Sequence, residues 1–195
     1  MKTLITKTKK VLRQEMEAKL RAVPCERQDV LSRDLCARVA VLPLYRRARR
    51  IMAFLHMPGE VSLDPLIEQA LKEEKEIYVP LCLSGRRMEA QQLASLSDAV
   101  AGAYGIRTAP AGSAIIDPAA LDLILVPGLA FDELGHRLGR GAAFYDRFLL
   151  RARRDMCVAV GWDMQIVPVV PVEAHDMTIP AILTEQRFIF QHTLL

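Results

Sequence analysis

The segment LDLILVPGLAF, residues 121–131, is apolar almost throughout. A half-exposed strand alternates apolar and polar residues, whereas a strand that is buried on both faces carries a continuous apolar run. Such a strand needs other elements to cover both of its faces. The segment therefore predicts a strand inside a largely parallel sheet that has helices on both sides.

Apolar periodicity along the chain predicts that helices and strands alternate. Helices are expected at 4–20, 26–41, 63–74 and 142–153, with Pro24 between the first two and Ser62 as the N-cap of the third. Strands are expected at 51–55, 76–82, 88–93, 121–131, 157–162 and 181–190. Residues 106–120, rich in Pro, Ala and Gly, are expected to cross the surface. We predict one domain, residues 1–195, with a mostly parallel, doubly wound, Rossmann-like α/β sheet and an N-terminal helical pair.

Composition limits the classes of partner. Of the 195 residues, 51% are hydrophobic and the net charge is only +3, which is typical of a globular protein and does not favour nucleic acid. The basic run at 46–50 could contact nucleic acid, but it lacks aromatic stacking partners and is better interpreted as a solvated approach to the first strand. No apolar run is long enough for a signal peptide or a membrane span. We expect a cytoplasmic monomer that binds neither nucleic acid nor membrane.

Cysteine usage agrees with a reducing compartment. The four cysteines are widely spaced and form no CxxC pair. We expect reduced, buried thiols and no zinc site. They are Cys25, Cys36, Cys82 and Cys157.

Ligands of such sheets bind beyond the carboxyl ends of the strands. Three loops are predicted to leave strands at that edge. They are the HMPGE loop after Leu55, the GLAFDELGHRLGRG stretch after Val126, and the segment after Trp162. The site is expected to be built from these loops.

The motif RLGRGAAFYDR, residues 137–147, combines positive charge with bare backbone. Gly139 and Gly141 allow a ligand to approach the main chain, and a helix start offers free N–H groups. Arg137 and Arg140 add forked donors that match phosphate oxygens. The motif indicates a phosphate site. A glycine turn with a solvated arginine fringe is the alternative, because the motif matches neither a P-loop nor a dinucleotide fingerprint.

Carboxylates near this motif suggest a cation. Asp146 would repel phosphate unless a cation such as Mg²⁺ lay between them, although a salt bridge to Arg140 or Arg151 is the alternative. His175 and Asp176 follow the last predicted loop and could face the same cavity, or His175 could be a solvated turn residue. Glu60 lies in the first loop, where it could equally be an ordinary exposed glutamate.

Taken together, VPGLAFDELGHRLGRGAAFYDRFL at 126–149, MPGEVSLDPLI before it and VPVEAHD after it resemble the 5-formyltetrahydrofolate cyclo-ligase (methenyltetrahydrofolate synthetase) family. The resemblance covers nearly the whole chain. It implies an enzyme that uses ATP and Mg²⁺ to close 5-formyltetrahydrofolate into 5,10-methenyltetrahydrofolate. In that reaction the formyl oxygen is phosphorylated, N10 attacks the activated carbon, and ADP and phosphate are released.

The resemblance also implies a role for each matching residue. Catalytic roles fall to Arg140, Tyr145 and Asp146, and the metal-linked aspartates are Asp146 and Asp176. Folate contacts fall to Leu55, Glu60, Arg140, Gly141 and Phe144. ATP contacts fall to Lys9, Lys10, Arg13, Arg137, Leu138, Gly139, Arg140, Gly141, Ala142, Ala143, Phe144 and Tyr145.

The chain departs from the family pattern at three adjacent positions. Members usually carry Gly or Lys at 142, Gly at 143 and Tyr at 144, where this chain has Ala142, Ala143 and Phe144. Alanine suits a helix but not a backbone of positive φ. A diverged paralogue that binds nucleotide or folate, or that acts on another substrate, is therefore the alternative to an active cyclo-ligase.

Overall fold

The structure, a computed structural model, describes the backbone of residues 2–173 and 176–190 and the side chains of residues 8–173 and 176–190. Within these ranges the chain forms five α-helices and twelve β-strands. The helices are α1 Lys2–Arg21, α2 Cys25–Val41, α3 Pro43–Arg47, α4 Asp64–Lys72 and α5 Phe144–Leu149. The strands are β1 Arg50–Met52, β2 Glu76–Leu83, β3 Arg87–Leu93, β4 Val100–Ala101, β5 Arg107–Thr108, β6 Ile115–Ile116, β7 Leu123–Val126, β8 Ala130–Phe131, β9 Arg137–Leu138, β10 Cys157–Val160, β11 Ala181–Leu183 and β12 Phe188–Phe190.

The described strands build one main sheet of eight, in the order β12-β11-β10-β7-β1-β2-β3-β6. Its centre, from β11 to β2, is parallel throughout. The remaining pairings, β11 with β12, β2 with β3 and β3 with β6, are antiparallel. The prediction of a mainly parallel α/β sheet is confirmed.

Both faces of the sheet are covered. Leu123 and Leu125 of β7 pack into one apolar cluster, which also takes residues of α1, α2 and α4. The alternate residues Ile124 and Val126 pack into a second cluster with Phe148 of α5. This alternation explains why β7 is apolar at every position, as its sequence predicts.

Several predicted strands are shorter or divided. The apolar run 121–131 breaks after Val126, and β8 leaves the main sheet to form a hairpin with β9. The run 181–190 is an antiparallel hairpin, because Thr184 Oγ1 accepts bonds from Gln186 N and Arg187 N and closes a turn. The segment 106–120 lies mostly at the surface, as predicted, but it also contains β5 and β6.

The helix boundaries also differ from those predicted. The helix α4 begins at Asp64 with Leu63 as its N-cap, so the prediction of Ser62 as N-cap is wrong by one residue. The helix α5 begins at Phe144 rather than Ala142 and has only six residues. Ala143 precedes it in the left-handed region, with φ 56°, which is incompatible with a helix running through position 143. The short helix α3, within the basic approach to β1, was not predicted.

The thiols and the helices bear on two further expectations. All four cysteines are free, and Cys36 and Cys157 are buried, but Cys25 is exposed, contrary to expectation. Among the described residues, every helix falls short of the length or apolar character that a membrane span requires.

The Phe131 ring fixes how two loops leave the sheet. The ring is fully buried, and a Cβ placed on Gly128 or Gly161 would lie 2.7 Å from its carbon atoms. Gly128 follows β7 and Gly161 follows β10. The ring therefore fills the space between the two loops, and only glycine fits at either position.

We expect Gly161→Ala to lower the free energy of unfolding by about 1–3 kcal/mol, because the new methyl group overpacks a filled core. Denaturant unfolding measures the loss. Adding Phe131→Leu should make the double variant less unstable than the sum of the two single losses, since the smaller side chain yields space. Strict additivity would contradict the steric explanation.

Candidate active site

A pocket lies where the order of the parallel strands reverses. The chain passes from β1 outward to β2, and then returns to the other side of β1 to form β7. Loops after β1 and β7 diverge at this point, which is where doubly wound sheets bind ligands. The pocket has a volume of about 200 Å³. Its walls are Phe54, Leu55, Met57, Glu60, Pro80, Cys82, Met88, Tyr104, Ile106, Pro127, Gly128, Arg137, Gly139, Arg140, Ala142, Ala143, Phe144, Tyr145 and Asp146.

Arg137 is the buried cation of this pocket. Its side chain is only 4% exposed and donates to Pro127 O at 3.1 Å and to Asp146 Oδ1 at 2.8 Å. A buried guanidinium requires such partners, because an unpaired charge in the interior is very costly. The salt bridge expected as an alternative for Asp146 therefore exists, but with Arg137 rather than with Arg140 or Arg151.

Two buried donors beside this ion pair lack a protein partner. Arg137 Nε and the Tyr145 hydroxyl form no hydrogen bond with any of the described residues. Burial, followed by the charge of Glu60, raises the pKa of Tyr145, so the phenol stays protonated. The Tyr145 ring also lies under the Arg137 guanidinium, 5.7 Å from centroid to carbon. Buried polar groups are normally satisfied, so these two donors indicate a place for a bound molecule.

Arg140 lies between two carboxylates. Its Nε donates to Glu60 Oε1 at 2.8 Å, and its Nη1 lies 3.7 Å from Glu17 Oε1 of α1. Glu60 Oε2 accepts from the backbone N–H of Met57 at 2.9 Å. Glu60 is thus a fixed wall residue of the pocket, and its interpretation as an ordinary exposed glutamate is wrong.

The first helix contributes two cations, Lys9 and Arg13, whose spacing of four residues places them on one side of the helix. Arg13 Nε donates to Gly139 O at 2.9 Å and so joins α1 to the glycine loop. Lys9 is buried, and its Nζ lies 3.1 Å from Glu173 Oε2 and 2.5 Å from Asp176 Oδ2. Asp176 Oδ2 also accepts from Glu173 N at 2.6 Å. The segment after Trp162 therefore reaches the site through α1.

The two aspartates predicted to bind metal contact different basic side chains. Asp146 pairs with Arg137, and Asp176 pairs with Lys9. Among the described residues, no three His, Cys, Asp or Glu side chains form a group that could hold a metal ion by themselves. An all-protein metal cage is therefore absent from this part of the chain.

Most other predicted site residues lie in or beside the pocket. Leu55 and Phe144 line it, and the Gly141 backbone (φ 103°) approaches the Arg13 guanidinium. Leu138 is buried in the apolar core, which leaves only its backbone for a ligand. Lys10 is exposed, away from the buried Lys9. His175 lies outside the described residues.

Sequence reasoning missed the part of the pocket wall that comes from β2 and from the β4–β5 hairpin. Tyr104 packs edge-on against Phe144, with ring centroids 5.4 Å apart, and Ile106 follows it. Pro80 and Cys82 come from the same face of β2, so their period-2 spacing near the end of that strand was an available signal. No comparable local pattern marks Tyr104.

A polar cluster adjoins this wall, because Arg107 directly follows the wall residue Ile106. Arg107 donates to both carboxylate oxygens of Asp64, at 3.2 and 3.1 Å, and His56 Nδ1 lies 3.6 Å from Asp64 Oδ1. Burial opposes the ionisation of Asp64, but bonds from His56 and Arg107 outweigh it and lower its pKa. The cluster ties the loop after β1 to the β4–β5 hairpin.

Comparison with known sequences identifies relatives along the whole chain. A sequence model of the 5-formyltetrahydrofolate cyclo-ligase family matches residues 5–185. The 5-formyltetrahydrofolate cyclo-ligase of Mus musculus is 31% identical over 93% of this chain and 95% of its own length. The enzyme of the same name from Escherichia coli K12 is 31% identical over 86% of this chain and 94% of its own length.

Solved structures show the same fold. The NMR structure of Aquifex aeolicus 5,10-methenyltetrahydrofolate synthetase aligns with a TM-score of 0.85 at 29% identity, covering 96% of this chain and 94% of that one. A 5,10-methenyltetrahydrofolate synthetase from Mycoplasma pneumoniae aligns with a TM-score of 0.74 at 18% identity, over 91% and 98% of the two chains. The latter similarity concerns the fold alone.

Fold and site together define a doubly wound α/β protein with an apolar, arginine-lined pocket at the strand-order reversal. Its basic loop, buried donors and paired carboxylates are those of a site for charged small molecules. The chain belongs to the 5-formyltetrahydrofolate cyclo-ligase family.

Ala143 provides a test of the loop geometry. Because its φ is 56°, Ala143→Gly should leave the free energy of unfolding unchanged or raise it by up to about 1 kcal/mol. The matched change Ala142→Gly, at a position without positive φ, should lower it by about 0.5 kcal/mol. Thermal and urea unfolding of both variants measure the difference. The opposite ranking would contradict the left-handed conformation at position 143.

Proposed function

We propose that the protein catalyses the ATP- and Mg²⁺-dependent cyclisation of 5-formyltetrahydrofolate to 5,10-methenyltetrahydrofolate, with release of ADP and phosphate. Family membership supports the cyclo-ligase activity. The observation that carries the finer proposal is the meeting of Arg137, Arg140 and Asp146 with Glu60 around one apolar pocket. The same cavity thus holds guanidinium donors, which match phosphate oxygens, and a carboxylate, which would accept hydrogen bonds from the N–H groups of the pterin ring.

The folate is proposed to enter with its pterin edge toward Glu60. That carboxylate is held by the Met57 N–H, so its oxygens are fixed acceptors for ring N–H groups. Leu55 and Phe144 supply apolar surface for the flat ring system. The Gly141 backbone and the Arg140 guanidinium would face the reacting end.

The nucleotide is proposed to lie along the glycine loop and α1. Lys9, Arg13 and Arg137 would receive phosphate oxygens from different directions, and the backbone from 138 to 143 would follow the nucleotide. Phe144 and Tyr145 close this side. Fixed cations and N–H groups of this kind stabilise charge as it moves between phosphate oxygens.

The chemistry is phosphoryl transfer followed by ring closure. The formyl oxygen forms a bond to the γ-phosphorus, the bond from that phosphorus to the bridging oxygen breaks, and ADP leaves. N10 then attacks the formyl carbon and loses its proton, and the carbon–oxygen bond breaks as phosphate departs. Arg140 would stabilise the charge on the transferred group, and the protonated Tyr145 would donate a hydrogen bond to an oxygen in the pocket.

The donor set fits a magnesium ion that arrives with the nucleotide. Mg²⁺ uses one or two protein carboxylates together with phosphate oxygens, and no three-residue cage is present among the described residues. Asp146 and Asp176 would hold it, and there it would neutralise phosphate charge. We further propose a cytoplasmic monomer that acts on small molecules, and the four free thiols suit that compartment.

An absorbance assay tests the activity. Methenyltetrahydrofolate absorbs in the near ultraviolet, so purified protein with Mg·ATP and 5-formyltetrahydrofolate should give a rising signal that stops without ATP. Absence of the signal together with intact Mg·ATP binding would favour the diverged paralogue, which the strained Ala143 backbone specifically supports.

In that assay Asp146→Ala should lower turnover by about 100-fold or more, because it removes both a metal-linked carboxylate and the partner of buried Arg137. The control is Asp155→Ala, which removes a carboxylate that is 64% exposed and paired only at the surface with Arg153. Its activity should match the parent's. Near-parental activity of Asp146→Ala would eliminate the role assigned to this residue.

Glu60→Gln should weaken folate binding but tighten nucleotide binding. Glu60 holds Arg140 in the free protein, so removing its charge releases a cation for phosphate. The Kd for Mg·AMP-PNP should fall about fivefold, which corresponds to the loss of an ion pair of about 1 kcal/mol. Titration calorimetry measures it.

The comparison between Arg140→Ala and Glu60→Gln/Arg140→Ala isolates the cause of this gain. If the effect acts through Arg140, Glu60→Gln should bring no gain once Arg140 is gone. A gain of equal size in both backgrounds would indicate only the general field of the lost charge.

A further inference from the structure

Asp132 is a buried carboxylate with a full set of donors. Its side chain is 1% exposed. Oδ1 accepts from Leu134 N at 3.0 Å and from His136 N at 3.1 Å. Oδ2 accepts from Val170 N at 2.9 Å and lies 2.9 Å from His136 Nδ1. A carboxylate offers about four acceptor sites, and four partners surround this one. These partners compensate for the loss of water around a buried carboxylate.

These bonds connect two separate stretches of chain. Leu134 and His136 belong to the turn of the β8–β9 hairpin, and Val170 belongs to the segment after Trp162. Backbone bonds join the same two stretches, from Val167 N to Phe131 O and from Ile179 N to Gly135 O, each 2.8 Å. Asp132 adds a carboxylate to the hydrogen bonds between these two stretches.

Each stretch carries groups toward the nucleotide end of the pocket. Arg137 directly follows His136 and reaches Asp146. The other stretch continues from Val170 to Glu173 and Asp176, which contact Lys9. We propose that Asp132 is a positioning residue that fixes Arg137 relative to Asp176, and so sets the geometry for Mg·ATP. This inference rests on the proposed function.

The folate end has its own supports. Glu60 is held by Met57 N and Arg140, and the loop after β1 is braced by Asp64 and Arg107. Within the described part of the chain, the hydrogen bonds of Asp132 go to Leu134, His136 and Val170, and none of them reaches these groups. Loosening Asp132 should therefore affect the nucleotide and the folate unequally.

The test is Asp132→Asn in the full chain, with both KM values and kcat measured. The amide replaces one acceptor oxygen with a donor that faces N–H groups. KM for Mg·ATP should rise about tenfold or more and kcat should fall, while KM for 5-formyltetrahydrofolate stays within about twofold. Simple partial unfolding lowers kcat and moves neither KM. Unchanged KM for Mg·ATP, or equal changes in both KM values, would overturn the proposal.

Two further variants keep the test decisive. Asp34→Asn makes the same chemical change at an exposed helix position and should leave all three parameters unchanged. His136→Ala removes only the ring contact, so it should raise KM for Mg·ATP by about threefold, and it decides the question if Asp132→Asn does not fold. An unaltered KM in His136→Ala would then overturn the proposal.

Failure of the proposed function is recognised on the parent protein. If the parent does not turn over, calorimetry with Mg·AMP-PNP replaces kinetics. Asp132→Asn should then bind about tenfold more weakly than the parent. Equal affinity would overturn the positioning role alone, and a parent that binds no nucleotide would overturn both proposals.

Discussion

The path of the Arg137 side chain is the constraint on which the pocket depends. It leaves β9, passes the end of β7 and reaches α5, where Asp146 receives it. A Cβ on Gly128 would lie 3.1 Å from its Cγ, and one on Gly139 would lie 3.0 Å from its Nη1. Both glycines therefore make room for the arginine as well as for a ligand. Because a buried guanidinium without partners is very costly, the hairpin, the β7 loop and α5 must keep this arrangement.

Charge pairing explains what kind of ligand the site can accept. Lys9, Arg137 and Arg140 each contact a carboxylate of the protein. A phosphate chain that arrived alone would free those carboxylates and leave them repelling it. A nucleotide that arrives with a divalent cation supplies negative charge for the lysine and arginine side chains and positive charge for the carboxylates. Under the proposed function, the pairing would favour entry of the two together, and Arg137 Nε would offer a further donor.

Local patterns in the sequence predict the layers of the fold but not the side-chain pairs between distant parts of the chain. The apolar run of β7 predicts a central strand because every side chain on it meets a cluster. Arg137 and Arg140 look alike in sequence, yet one is buried and the other is 32% exposed, because β9 turns Arg137 inward. Lys9 contacts Asp176 across more than a hundred and sixty residues of chain. Three of the donors to Asp132 are backbone N–H groups, which carry no sequence signal. Tyr104 belongs to the same class, since its place on the pocket wall depends on the tertiary fold.

The departures from the family pattern at positions 142–144 affect the two ends of the pocket differently. Ala142 is exposed and costs little sterically, but lysine at that position would add a charge that this chain lacks. Ala143 keeps the left-handed turn at a conformational cost of about 1–2 kcal/mol. Phe144 retains a ring contact with Tyr104 and packs against the apolar cluster. Glu60 and Leu55 are unaltered. Under the proposed function, divergence in this chain should therefore appear first in nucleotide binding, where charge and loop strain act, and last in recognition of the folate ring.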